Sequence, residues 1–143
     1  MFTKEQLEGI IVSLANPEIS IEKDDRQSIG YRIRLRVHFR ALNNSFLTNL
    51  QLCLQDEKIE TYYRSQEKTS RPYPVLRVAK VENLLKLFNL IPSELKDLDA
   101  NNKFSTFYEV LTIISNKHHL TQKGFDKILK LKYNFTGSDK VWA

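Results

Sequence analysis

An α+β fold, with a four-stranded antiparallel sheet and helices packed on one of its faces, is the architecture this sequence predicts. Three observations carry that prediction. The first is Tyr31-Arg32-Ile33-Arg34-Leu35-Arg36-Val37-His38-Phe39-Arg40, where apolar and polar side chains alternate over ten residues. Successive side chains of a strand point to opposite sides, so a period of two marks a strand with one buried face. The second is a set of segments whose apolar residues recur every three to four positions, the period of an amphipathic helix. The third is their order, α-β-β-α-β-β-α-α-α, which interleaves two hairpins with helices and contains no internal repeat.

Leu7, Ile10, Ile11 and Leu14 fall at i, i+3, i+4 and i+7, so Thr3 to Ala15 reads as a helix. Thr3 and Gln6 have capping-box spacing. Pro17 has no N–H to donate and restricts Asn16, which ends the helix near Ala15. Ile19 to Glu22 alternates as a short strand, and the polar run Asp24 to Gly30 turns the chain into Tyr31–Arg40. Asn43 and Asn44 offer caps for a helix from about Ser45 to Gln55, with Phe46, Leu47, Leu50 and Leu54 on its apolar side. Lys58 to Ser65 and Val75 to Lys80 read as strands joined by a polar loop that carries Lys68 and Arg71. Val81 to Leu90 is helical and closed by Pro92, and Phe104 to Asn116 is a second long helix. Thr121 caps a last helix containing Phe125, Ile128, Leu129 and Lys132. A single domain is expected over residues 1–134, followed by a loose tail at 135–143 in which Trp142 is the residue able to dock.

A chain of 143 residues is long enough to bury one core. Cys53 is the single cysteine, which excludes an internal disulfide, and it sits in an apolar run as a small core residue. No stretch approaches the ~18 apolar residues that a membrane span needs. The N-terminus mixes acidic and basic residues and looks like neither a signal nor a transit peptide. An intracellular, reducing compartment is therefore expected, with organellar, viral and prokaryotic hosts left open. The net charge of +5 fits a polyanionic partner without requiring one.

The position of that charge says more. With helices on the Ile33, Leu35 and Val37 side, the other side of the sheet presents Arg32, Arg34, Arg36, His38 and Arg40. Adjacent arginines repel one another and gain nothing for folding. A solvated face is the plain alternative, but solvation needs no such bias of sign. Arginine suits phosphate oxygens and the O6/N7 edge of guanine. Tyr62, Arg64 and Arg77 extend the same face, and Lys68 and Arg71 lie on its loop. A sheet of this kind fits the major groove of double-stranded DNA. Gly9 and Ser13, four apart on the first helix, form a small-residue side on which a second backbone can approach.

The segment Lys117-His118-His119-Leu120-Thr121-Gln122-Lys123-Gly124, followed by Ile128-Leu129-Lys130-Leu131-Lys132, resembles the K-x-H-L-T-x-x-G…I-L-x-L-K signature of LAGLIDADG homing endonucleases. Phe104 to Val110 looks like the helix that precedes it, and the resemblance runs from about Leu7 to Asn134 in matching order. It implies an αββαββα fold whose sheets form a saddle over DNA. It also implies a homodimer packed through Gly9, Val12 and Ser13, and Mg²⁺-dependent cleavage. The naming motif is a first helix ending in a metal-binding acid, and two registers compete for it. One runs from Leu7 and places Leu14 at the acid. The other runs from Ile11 to Ser20, places Glu18 there, and is preferred because it retains an acid and Ser20. It departs from the pattern at Asn16, Pro17 and Ile19. On that register Glu18 is the catalytic, metal-binding residue. A relative that grips DNA, or a structured intron RNA as maturases do, without cutting is the alternative.

His119 is expected to serve the His-Leu-Thr turn as a structural hydrogen-bonder. The resemblance also implies a basic residue near the active site, from the polar stretch before the Phe104 helix; Lys96 and Lys103 lie there but do not match its spacing cleanly.

Overall fold

The computed structural model describes residues 2–92 and 103–136. Helix α1 (Lys4–Leu14) leads into β1 (Asn16–Lys23) and β2 (Tyr31–Arg40), then α2 (Asn44–Asp56), β3 (Tyr62–Arg64) and β4 (Val75–Val78). Helices α3 (Val81–Asn89) and α4 (Lys103–Ser115), a short 3₁₀ turn (His118–Leu120) and α5 (Gln122–Thr136) complete the described chain. The four antiparallel strands lie in the order β1-β2-β4-β3.

Local chemistry explains the boundaries. The Thr3 side chain accepts from the Gln6 N–H, and Gln6 returns a bond to the Thr3 N–H, so the capping box forms as its spacing predicts. Asn43 caps α2 by accepting from Ser45 and Phe46. β1 is longer than its alternating core, because Asn16 and Pro17 already pair with His38 and Val37. β3 is shorter than expected, since only Tyr62–Arg64 pairs with β4. The last helix continues to Thr136, two residues beyond the expected domain end; Trp142 and Lys96 lie outside the described residues.

The core forms where the predicted faces meet. Leu35, Val37 and Phe39 of β2 and Ile19 and Ile21 of β1 are buried with Leu7 and Ile11 of α1. Leu47, Leu50, Cys53 and Leu54 of α2 join the same cluster. Phe88 ties α3 to α4 by stacking on Phe107 at 5.3 Å and meeting Phe104 edge-on at 5.9 Å. At the far end Tyr31 stacks on Phe125 at 5.5 Å, so α5 supports the tip of the β1–β2 hairpin.

The His-Leu-Thr-x-x-Gly motif is an architectural joint. Thr121 Oγ1 donates to the His118 carbonyl at 2.7 Å and accepts from the Gly124 N–H at 3.1 Å. A Cβ on Gly124 would collide with that same carbonyl. The contact between the 3₁₀ turn and α5 therefore requires glycine for its lack of a side chain. The expected structural hydrogen bond of the His119 ring is corrected: its Nδ1 is enclosed without a partner among the described residues, and burial lowers its pKa. The backbone of His118 makes the turn instead.

Candidate nucleic-acid interface

The register of the sheet collects the predicted basic residues on one side. Across β1 and β2, Glu22 faces Arg32, Ser20 faces Arg34, Glu18 faces Arg36 and Asn16 faces His38. Across β2, β4 and β3, His38, Arg77 and Tyr62 form one row, and Arg40, Val75 and Arg64 the next. β4 pairs only with Val37–Arg40, so the stretch from Tyr31 to Arg36 has β1 as its single strand neighbour. The hairpin thus projects beyond the four-stranded body as a two-stranded ribbon.

This face divides into two halves. On the ribbon, Arg32 and Arg34 are exposed, and Arg34 makes only a loose 3.6 Å contact with Glu22. Arg36 is half-buried, and its enclosed Nε has no hydrogen-bond partner among the described residues. Toward the centre the charges are engaged. Arg40 donates from Nε to Glu67 Oε1 at 2.8 Å and from Nη2 to Glu67 Oε2 at 3.0 Å, a bidentate fork. Arg71 reaches Glu67 at 3.3 Å and lies 5.5 Å over the Tyr73 ring. Arg40 and Arg71, expected as DNA contacts, are thus both held in ion pairs with Glu67 in the free protein. Glu67 was not singled out in the sequence, although its i,i+4 spacing to Arg71 within a basic loop is a readable signal. Arg64 and Lys68 are exposed, Lys68 on a tight backbone turn closed with Arg71.

His38 breaks the alternation. It points to the polar side yet is 3% exposed. Arg77 Nε donates to His38 Nε2 at 3.1 Å. That nitrogen must therefore carry the lone pair, which puts the ring proton on Nδ1. Nδ1 lies 3.2 Å from Glu18 Oε2, at contact distance but with its N–H off the line to the oxygen. Glu18 Oε1 in turn accepts from Arg40 Nη2 at 3.3 Å.

Glu18 is therefore placed differently from the preferred register. Helix α1 ends on Leu14 with Ala15 as its cap, and Glu18 lies four positions later, inside β1. The helix terminus agrees with the register that starts at Leu7, and Leu14 is 40% exposed there. The His38 contact foremost, with Arg40 adding to it against the opposing effect of burial, holds the Glu18 pKa down to about 2. Both carboxylate oxygens are already engaged, so a hard divalent ion such as Mg²⁺ would have to displace a histidine and an arginine to bind. As arranged, these residues do not fit a metal site. Among the described residues, no group of three or more His, Cys, Asp or Glu side chains gathers as one either.

A prediction follows from the sign of the shift. A carboxyl whose folded pKa lies below its ordinary 4.5 contributes stability above that value, and the contribution is lost as pH falls toward 2. The side chain is 37% exposed, so solvent screening leaves the pair roughly 1 kcal/mol. Urea unfolding across this range should show a wild-type decline that Glu18→Gln lacks. Parallel pH profiles for the two proteins would refute it.

On α1, Gly9 and Ser13 are exposed and Val12 is half-buried. Ser13 Oγ donates to the Gly9 carbonyl at 2.7 Å, which satisfies the hydroxyl within the helix and leaves a low surface. Beyond its chain neighbours and the helix's own backbone, no atom lies within 4 Å of where a Gly9 Cβ would stand among the described residues.

One helix entering an antiparallel four-stranded sheet, with returning helices on its inner face, defines the LAGLIDADG homing endonuclease fold. The chain has that fold. The archaeal intron-encoded homing endonuclease I-Vdi141I, complexed with DNA, superposes with a TM-score of 0.80 at 23% identity, over 97% of this chain and 86% of that one. I-TnaI, a homing endonuclease, gives 0.76 at 16% identity, over 97% and 90%. The LAGLIDADG meganuclease I-CpaMI bound to uncleaved DNA gives 0.74 at 23% identity, over 92% of this chain but only 43% of that one. The chain thus spans less than half of I-CpaMI. No protein-family model and no curated protein matches it by sequence.

Proposed function

We propose that this protein binds double-stranded DNA by laying the β1–β2 ribbon into the major groove. The observation that carries the reading is the row Arg32, Arg34 and Arg36 on one side of the ribbon, where Arg32 and Arg34 are exposed and the one ion pair among the described residues, Arg34 with Glu22, is a loose 3.6 Å contact. The exposed Arg32 and Arg34 guanidinium groups are free to meet phosphate or base oxygens, which arginine matches with paired donors. Arg64, Lys68 and Tyr62 flank the path, and the DNA-bound states of I-Vdi141I and I-CpaMI support the same use of the fold. The ribbon needs no metal to do this. An intracellular setting with access to nucleic acid is part of the proposal.

Two copies are proposed to meet through the Gly9, Val12 and Ser13 side of α1 and to read a near-palindromic site as a homodimer. Gly9→Leu should convert the complex from two proteins per duplex to one, as read by sedimentation. Unchanged stoichiometry would rule out this face as the seam.

Metal-dependent cleavage is the second reading, favoured by the endonuclease relatives; one of them, I-SmaMI, is bound to its uncleaved target in the presence of calcium ions. On that reading Glu18 would have to exchange its His38 and Arg40 contacts for Mg²⁺, and cutting of a duplex library should vanish in Glu18→Gln. Binding with no cutting at any divalent-ion concentration would leave the non-cleaving relative. A structured intron RNA that competes with duplex at equal salt would shift the reading to a maturase-like binder.

A further inference from the structure

The inner half of the basic face contains one arginine held unlike its neighbours. Arg40 is gripped by both oxygens of Glu67 and touched by Glu18, so its charge is balanced. Arg77 is fixed as well, but by the imidazole nitrogen of His38, which accepts its Nε–H without bringing a negative charge. With Nε occupied, the two Nη groups are the donors of the fork that His38 does not use, and Arg77 is half-buried rather than enclosed. His38 is itself immobile, being 3% exposed between β1 and β4 with Glu18 at 3.2 Å from its protonated nitrogen. The exposed ring of Tyr62 stands next to Arg77 across β3 and limits the other side.

We infer that Glu18 and His38 are positioning residues that pre-orient Arg77 to read a single guanine through its O6/N7 edge. The inference rests on the duplex-binding reading above. A guanidinium whose Nε is pinned keeps its full charge and loses the freedom to follow a phosphate along the backbone. Two parallel N–H groups presented at a fixed angle match two acceptors on one base, which guanine alone offers in the major groove. Carboxylate, imidazole and guanidinium then lie in series: the Nε2 lone pair orients Arg77, and the Glu18 carboxylate, 3.2 Å from Nδ1, favours a proton on that side of the ring. Such support of a contact residue by a buried partner is what separates sequence preference from general affinity.

The experiment combines selection from a randomised duplex library with NMR of the free protein. Wild type should select a guanine at one position per half-site. Arg77→Ala should lose that preference at least tenfold with little change elsewhere. Glu18→Ala and His38→Ala should relax the same position, and His38→Ala with Arg77→Ala should be no worse than Arg77→Ala alone. Glu18→Gln, which keeps a polar oxygen beside His38 Nδ1, should restore much of the preference. Long-range proton–nitrogen correlation should show the His38 proton on Nδ1, a readout that survives if an alanine variant folds poorly. A proton on Nε2, or a guanine preference untouched by His38→Ala, overturns the relay. A uniform loss of affinity in Arg77→Ala makes it a phosphate contact and overturns the base assignment. Absence of any duplex binding by wild type would instead overturn the proposed function, and the tautomer would still be read independently.

Discussion

Replacing Arg32, Arg34 and Arg36 together with alanine should weaken duplex binding by roughly 3–4 kcal/mol, or about 100- to 1,000-fold in Kd at ~0.15 M salt. The three side chains share one face of a regular strand, where same-face neighbours stand about 7 Å apart. Their one ion pair among the described residues is the loose 3.6 Å contact of Arg34 with Glu22, in contrast to the bidentate grip of Glu67 on Arg40. Each arginine that contacts phosphate releases condensed counterions, so the slope of log K against log salt should fall by about 0.9 per residue lost. Folding should be almost unaffected, because the removed charges repel one another and none is part of the core. Arg40→Ala makes the informative contrast. It frees Glu67, already held below the usual carboxylate range chiefly by Arg40, and so should cost stability more than binding. Titration of labelled duplex at several salt concentrations, beside thermal melts, separates the two. An intact salt slope in the triple variant would remove the ribbon from the interface.

Gly124→Ala should destabilise the fold by about 3 kcal/mol or more, lowering Tm by roughly 10 °C. The added methyl meets a backbone carbonyl, that of His118, which has no rotamer through which to escape. The carbonyl is also fixed by the Thr121 hydroxyl, so relief means opening the joint between the 3₁₀ turn and α5. Because Phe125 on α5 stacks against Tyr31, the damage should reach the ribbon tip and weaken duplex binding as well. Gly9→Ala is the control. It adds the same methyl inside a helix where nothing beyond chain neighbours and the helix's own backbone lies within 4 Å among the described residues, and should gain roughly 0.5–1 kcal/mol by lowering the entropy of the unfolded chain. Equal melting temperatures for the two variants would discard the steric argument.

Much of the fold was legible because it rests on short-range rules. Ten alternating residues became β2 with unchanged bounds; Thr3 and Asn43 set helix starts through hydrogen bonds within a few residues, and Pro17 ends α1 by lacking an N–H and restricting the residue before it. The strand ends were less legible. β3 shrank to three residues and β1 grew toward Asn16, since pairing depends on where the neighbouring strand runs. The end of α1 at Leu14 is also present in the apolar period of Leu7, Ile10, Ile11 and Leu14, whereas the placement of Glu18 inside β1 depends on its pairing with β2.

What the sequence determined alone was that one side of this sheet is basic and the other apolar, because strand geometry sends alternate side chains apart whatever surrounds them. What only the tertiary structure decided is which of those basic groups are available. Arg40 and Arg71 are neutralised by Glu67 across a separation of 27 residues in the first case, and Glu18 is held by His38 and Arg40 from the adjacent strand. A charge is free or spent according to the distance to its counter-charge, and that distance is set by how strands pair rather than by how residues are spaced.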